Sequence, residues 1–295
     1  MIAAARFIAK IYDATGATFK RTIEYGSILA LPRISREVSK PSSDITLSLA
    51  VPWDDFGYGT TIREFFLVKL YAINDAHPSG ILVFQGFITE ITARLSRDTN
   101  HVDLRIFPLE SILNNAFWKS GSSQSLADHT ITYSAADVDT IFSNAITNIN
   151  TLYGSYFTTD LGNPGASITV NFVEQTHQQA LDKAIRFLND TWYWRVKPDG
   201  TMQLKQFDDS SPTHRFVLGM DVDSLEVTKS IMDMKNGIRV EYTGPAYVFS
   251  NDATSETNYG KRQKKVSDTN IQNSASATAL GDGELARLKD VKTQV

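Results

Sequence analysis

His77, His101, His129, His177 and His214 are the side chains best suited to bind a metal or pass a proton near neutral pH. No two of them stand at a ligand spacing such as H-E-x-x-H, so each is expected to be a surface ring or an internally satisfied one. Acidic pairs occur at Asp54/Asp55, Asp208/Asp209 and Asp221/Asp223. Two carboxylates flanking a scissile bond would hydrolyse a glycoside. Sequence neighbours in polar loops are, however, usually turn residues. The stretch "DVDSLE" also lacks the glycine and the oxygen spacing of a calcium loop. There is no G-x-S-x-G elbow and no G-x-x-x-x-G-K-[ST] phosphate loop; "GYGTT" at Gly57 to Thr61 reads as a loop. With no cysteine, thiolate metal sites, cysteine nucleophiles and disulfides are excluded.

Two aromatic and basic stretches could bind rather than react. Trp192-Tyr193-Trp194 could stack a sugar or a base, as could Trp53. Strand alternation puts Trp192 and Trp194 on one face, beside an amphipathic helix, and packing against that helix is the simpler expectation. The densest positive charge is "NYGKRQKKVSD", where Lys261, Arg262, Lys264 and Lys265 follow Tyr259. The whole chain carries 29 basic and 33 acidic residues, a formal charge of −4. A general nucleic-acid binder shows the opposite balance, so the cluster is a local feature. Asn189-Asp190-Thr191 matches a glycosylation acceptor, but Arg6 and Lys10 interrupt the N-terminal apolar run and make it a strand start rather than an export signal. No run of about 18 apolar residues exists, so no membrane-spanning segment is expected.

The elements that must position these residues come in two kinds. At 295 residues, 42% hydrophobic and 21% charged, the chain has the balance of a globular protein of about two domains. Its first part is strand-like. "RFIAKIYDATGATFKRTI" reads as a hairpin turning at Asp13 to Gly16. "DITLSLAV" places Ile45, Leu47, Leu49 and Val51 on one face. "FFLVKLYAI" and "ILVFQGFITEIT" flank the loop "NDAHPSG", with Gly86 expected at a bulge or barrel bend. "HVDLRIF" alternates through Val102, Leu104 and Ile106. From Pro108 the period changes to that of helices. A short helix and loop precede a helix with Ser134 as its expected N-cap and Val138, Ile141, Phe142, Ala145, Ile146 and Ile149 on one face. After the strand "ITVNF", Thr176 and Gln179 form a capping box for a helix with a stripe of Leu181, Ala184, Ile185 and Leu188, ending near Asn189. "TWYWRV" and "TMQLKQF" pair across Asp199-Gly200. The strands "HRFVLG", "SLEVTKS" and "NGIRVEYTG" follow. The last stretch is weakly helical through Ala277, Leu280, Leu285 and Leu288, with Gly281 and Gly283 against it.

The expected fold is therefore α+β and β-rich. It has a barrel-like N-terminal domain (1–110), a middle domain of helices and hairpin (111–225), and a second, incomplete barrel-related part (226–295) holding return strands, a polar connector and the C-terminal helix. In that order the chain resembles the baseplate hub proteins at the tail tip of long-tailed phages, including the N-terminal part of tail-associated lysins. Three stretches carry the likeness: "RFIAKIYDATG…ITLSLAV…LVKLYAI…ILVFQGFITEIT", the helix and hairpin "ALDKAIRFLNDTWYWRVKPDGTMQLKQF", and "NGIRVEYTGP" followed by "SETNYGKRQKKVSDTNIQNSASATALGDGELARLKD". Family members continue with strands that complete a barrel, so this chain is expected to be a short or partial member. No lytic module is visible.

The resemblance implies a structural virion component of the tail tip, assembled in the host cytoplasm, rather than an enzyme. It implies no cofactor, no metal site and no catalytic residue. It implies a homotrimeric ring that joins the tail tube or distal tail protein to tip or tail fibre proteins, with the tape measure protein and DNA only passing through the lumen. "NYGKRQKK" then reads as a polar connector whose charges lie in solvent or meet a neighbouring subunit, with Tyr259, Lys261, Arg262, Lys264 and Lys265 as candidate interface residues. The alternatives are a cell-wall hydrolase using Asp208 or Asp221 with a facing acid, and a carbohydrate-binding tip module using Trp192, Trp194 or Trp53.

Overall fold

The computed structural model describes residues 6–29, 34, 44–51, 56–95, 100–120, 127–207, 228–244, 246–290 and 292–294. The fold is α+β and β-rich, as the sequence predicts. The chain divides into two compact units, each discontinuous in sequence: 1–116, 146–160 and 195–203 in the first, and 117–145, 161–194 and 204–295 in the second.

The first unit is built on one curled sheet. β1 (Arg6–Tyr12) and β2 (Phe19–Ile23) form the expected hairpin. Asp13 organises its turn, accepting from the amides of Thr15 and Thr18 and from the Thr15 hydroxyl. Hydrogen bonds from the Thr18 and then the Thr15 side chain, with their amides behind them, hold its carboxyl far below the usual carboxylate range. β3 (Ile45–Leu49), β4 (Leu67–Asn74), β5 (His77–Leu95) and β6 (Asn100–Pro108) complete a six-stranded sheet of order β2-β1-β4-β5-β6-β3. Just beyond β2 the chain reaches the far edge: Ile28 bridges Leu49, and the amides of Leu29 and Ala50 donate to the carbonyls of Ser48 and Ser27 at 2.8 Å. Joining the edges in this way satisfies backbone groups that an open sheet leaves bare. Ala9, Ile11, Ile45, Leu47, Leu49, Val68, Leu70, Val102, Leu104 and Ile106 meet in one apolar cluster, which is the period-2 pattern folded onto itself.

Two details differ from expectation. The loop "NDAHPSG" shrinks to a tight turn, because Asn74 pairs with His77 and its side chain accepts from the His77 amide at 2.8 Å. Nor does Gly86 form a bulge. The register slips at Val83 and Thr89, on either side of it. A Cβ at Gly86 would lie 2.0 Å from the Phe107 carbonyl oxygen, so the glycine is there for close backbone approach.

The remaining elements are β7 (Thr130–Asp137), α1 (Val138–Tyr153), β8 (Thr158–Leu161), β9 (Ser167–Val173), α2 (His177–Ile185), β10 (Trp192–Val196), β11 (Thr201–Gln206), β12 (Thr228–Ser230), β13 (Gly237–Glu241), β14 (Tyr247–Asn251), α3 (Ala253–Tyr259), β15 (Gln263–Ser267), α4 (Ser274–Leu288) and β16 (Lys292–Gln294). They form sheets β7-β9, β10-β11-β8, β12-β16 and β14-β13-β15. The six apolar positions read on α1 are all buried. Ser134 is not its N-cap. Ser134 and Ala135 lie at an irregularity in β7, between the pairs Tyr133–Val170 and Ala136–Ile168, and pairing with β9 resumes as far as Asp137, opposite Ser167, so the helix starts at Val138. The capping box of α2 is present: Gln179 N–H donates to the Thr176 hydroxyl, and Thr176 N–H to the Gln179 side chain. This helix ends at Ile185, before Asn189, because Phe187 and Leu188 tighten into three-residue turns. Gly200, at φ +86°, closes the turn between β10 and β11, its amide donating to the Lys197 carbonyl at 3.0 Å. "HRFVLG" and most of "SLEVTKS" lie outside the described residues.

Candidate interaction surface around the basic stretch

The basic stretch is an edge strand rather than a connector. Asp252 caps α3 by accepting from the Ser255 amide at 2.9 Å. The helix ends at Tyr259, and Gly260 turns the chain at φ +74°. Buried Asn236 clips that turn: its amide group donates to the Gly260 carbonyl and its oxygen accepts from the Arg262 amide, both at 2.7 Å. β15 then runs parallel to β13, Gly237 opposite Gln263 through Glu241 opposite Ser267. β14 returns antiparallel to the start of β13, and α3 links its end at Asn251 to the start of β15 on the other side of Gly237.

Alternation along β15 sends its lysines to opposite faces of the sheet. Lys264 turns toward α4 and reaches Glu284 Oε2 at 2.8 Å. Arg186, at the end of α2, holds Oε1 of the same carboxylate at 2.7 Å. Burial works against the ionised form of Glu284, but the hydrogen bonds from Lys264 and Arg186 outweigh it and hold its carboxyl below the usual range. Lys265 turns the other way and meets Glu241 at 2.7 Å, which Arg239 also contacts at 3.2 Å. Arg262 donates to the Ile231 carbonyl at 3.3 Å. So Arg262, Lys264 and Lys265 have partners within their own chain, whereas Tyr259 and Lys261 are exposed.

α4 is held to this sheet by small residues and by charge. A Cβ on Gly281 would come within 2.7 Å of the Ser250 hydroxyl, and one on Gly283 within 2.3 Å of the Arg186 carbonyl oxygen. The glycines that weaken the helix in sequence are the ones that let it dock. Arg287 donates to the carbonyls of Ile185 and Leu188, covering the open C-terminal end of α2. Lys289 pairs with Asp252 at 3.1 Å, and β12 pairs with β16 beyond it. Sequence reasoning missed Glu284. Its one visible signal is its place on the buried line Ala277, Leu280, Glu284, where a carboxylate calls for a cation.

The face of the sheet turned away from α4 carries Arg239, Glu241, Tyr247, Phe249 and Lys265. The Arg239 guanidinium lies 4.3 Å from the Tyr247 ring centroid. Gly237 gives Phe249 room to lie across β13, since a Cβ there would be 2.9 Å from its ring.

The other candidates do not converge. His77 is exposed, and His101 lies 3.7 Å from Asp103. His129 and His177 are buried, with rings against Phe117 and Trp118. Among the described residues no three His, Asp or Glu side chains gather at a metal-binding distance. His214, Trp53 and the three acidic pairs lie outside those residues. Trp194 is buried, edge-on to Phe142 of α1, and its indole N–H donates to Asp182 of α2 at 3.1 Å. Trp192 is half-buried over Gly162. Among the described residues no helix is long and apolar enough to cross a membrane.

No protein-family model matches the chain, and no curated protein matches it in sequence. Solved structures share its fold. The 43 kDa tail protein of prophage MuSo2 from Shewanella oneidensis aligns with a TM-score of 0.61 at 11% identity, over 94% of this chain and 77% of that one. The tail protein from Neisseria meningitidis MC58 gives 0.60 at 14% identity, over 96% and 76%. Prophage tail protein gp18 from Listeria monocytogenes EGD-e gives 0.57 at 10% identity, over 93% and 76%. At these identities the likeness is one of fold.

Proposed function

We propose that the chain is a structural component of a phage-type tail, acting as the hub of the tail-tip baseplate. The observation that carries this reading is the extent of the fold match. It runs through nearly the whole chain, both compact units included, in tail proteins from three different bacteria. In the finer reading three copies close into a ring, and closed rotational symmetry lets such a ring stack on another with few distinct contacts. The ring joins the tail tube or distal tail protein to tip or fibre proteins, and the tape measure protein and DNA pass through its centre. A chain of net charge −4 is compatible with a bore that does not grip phosphate. Tyr259 and Lys261, exposed where α3 gives way to β15, are the nearest of the basic-stretch residues to a free interface. Lys264 and Lys265 would have to exchange Glu284 and Glu241 for a neighbour's acids.

Mass photometry of the purified chain, alone and with the tail proteins encoded beside it, tests the reading. The expected result is a mass three times that of one chain, or a ring that forms only with those proteins. A strict monomer indifferent to them overturns it.

A further inference from the structure

We propose that the outer face of β1 and β4 docks an extended, acidic segment of a partner protein, one carboxylate of which sits between Lys10 and Lys69. On these strands Ala9, Ile11, Val68 and Leu70 point into the core, so Ile8, Lys10, Tyr12, Lys69 and Tyr71 point away from it. The register sets Lys10 directly opposite Lys69. Like charges facing each other across a strand pair oppose folding, so this pair is a local conflict within an otherwise consistent sheet. Each ammonium is also held in place. Lys10 lies 5.0 Å from the ring centroid of Tyr71, and Lys69 lies 5.0 Å from that of Tyr12, a reciprocal diagonal arrangement. Among the described residues no carboxylate pairs with either lysine, although both are half-buried, whereas the lysines of β15 each have an acid.

The surroundings specify the occupant. Half-buried Thr22 extends the lysine row onto β2, while Gln85, opposite Lys69 on β5, is buried and ends it there. Half-buried Ile8, Tyr71 and Leu82 flank the row on one side and the half-buried ring of Tyr12 on the other; Leu67 and Phe87, opposite Tyr12, are buried and offer no surface. Rows two residues apart along a strand repeat at about 7 Å, the side-chain repeat of an extended ligand. A segment of pattern apolar-x-acid-x-apolar therefore places its carboxylate on the two ammoniums and its apolar side chains on Ile8, Tyr71 and Leu82 at one end and on the Tyr12 ring at the other. A polyanion fits less well, because only two cations line the row and the chain as a whole is acidic. This inference stands on the face itself and is independent of the tail reading.

The test uses the full chain, a short capped peptide of that pattern with Glu at its centre, its Gln counterpart, and a single-stranded oligonucleotide, with binding followed by NMR. We expect the Glu peptide to bind, the Gln peptide to bind at least about tenfold more weakly, and the double variant Lys10→Gln/Lys69→Gln to lose about tenfold or more. Lys265→Gln should leave binding unchanged. Because the double variant removes a repulsive pair together with two ring contacts of similar size, its melting temperature should stay close to the parent's, which separates lost binding from lost fold. The proposal falls if the peptide does not bind the parent chain, if the double variant binds it equally well, or if the oligonucleotide binds more tightly with the same dependence on the two lysines.

Discussion

The outer face of β1 and β4 and the junction of α2, α4 and β15 both concentrate lysine and arginine, and they use the charge in opposite ways. At the junction every cation has a counterpart. Arg186 and Lys264 share Glu284, Lys289 takes Asp252, and Arg287 takes the carbonyls at the end of α2. On the β1–β4 face two ammoniums oppose each other over tyrosine rings, and no acid among the described residues answers them. In the first place charge assembles the fold. In the second, apolar burial beneath the sheet carries the fold in spite of the charge. A basic run in sequence does not distinguish the two, because its meaning depends on acids far away along the chain.

The comparison is open to attack from both sides. The largest effect should come from the apolar support of the first region. Leu47→Ala, at a fully buried site, should cost about 3–4 kcal/mol and lower the first thermal transition. A loss under about 1 kcal/mol would mean that the curled sheet does not depend on its core. At the junction, Gly283→Ala forces a methyl against the Arg186 and Leu188 carbonyls and should cost about 2–3 kcal/mol, read by chemical denaturation.

Glu284→Gln should cost about 1–3 kcal/mol near neutral pH, since it leaves Arg186 and Lys264 without their shared acid. This loss should depend on pH. The Glu284 carboxyl lies below its ordinary 4.5 when folded, so its contribution is complete above that value and fades as pH falls through the lowered one. Parent and variant melting curves should therefore converge on acidification, and a constant gap down to the acid transition would remove charge from the account. The smallest effect is Lys69→Gln, where relief of the opposed charge and loss of the Tyr12 ring contact offset each other, so stability should move by less than about 0.5 kcal/mol. A loss above about 1 kcal/mol, more than the ring contact accounts for, would show that Lys69 has a further partner.

How much of this was legible depended on how far apart the partners lie. The strand Ile45 to Val51, the α1 stripe from Val138 to Ile149, the Thr176–Gln179 box and the Asp199-Gly200 turn were all readable, because each rests on residues within a few positions of one another. Ser134 misled because the pairing that resumes just beyond it, at Ala136 and Asp137, and delays the helix is with β9, some thirty residues on. Gly281 and Gly283 read as helix breakers because the carbonyl and hydroxyl they make room for belong to α2 and β14. The basic stretch read as a connector because Asn236, Glu241 and Glu284, which place it in a sheet, lie before and after it rather than within it. The tryptophans were half readable. Trp194 packs against α1 and α2, while Trp192 covers a glycine that no periodicity foretells.

The hold of Arg287 on α2 also sets a timetable. The carbonyls of Ile185 and Leu188 leave the ribosome about a hundred residues before the guanidinium that covers them. At ordinary rates of synthesis that interval is about 5–20 s. Throughout it the nascent helix has a bare end and an empty slot where Gly283 will lie. The second unit therefore cannot close until α4 emerges, and a ribosome paused just short of it would hold α2 with its last carbonyls uncovered.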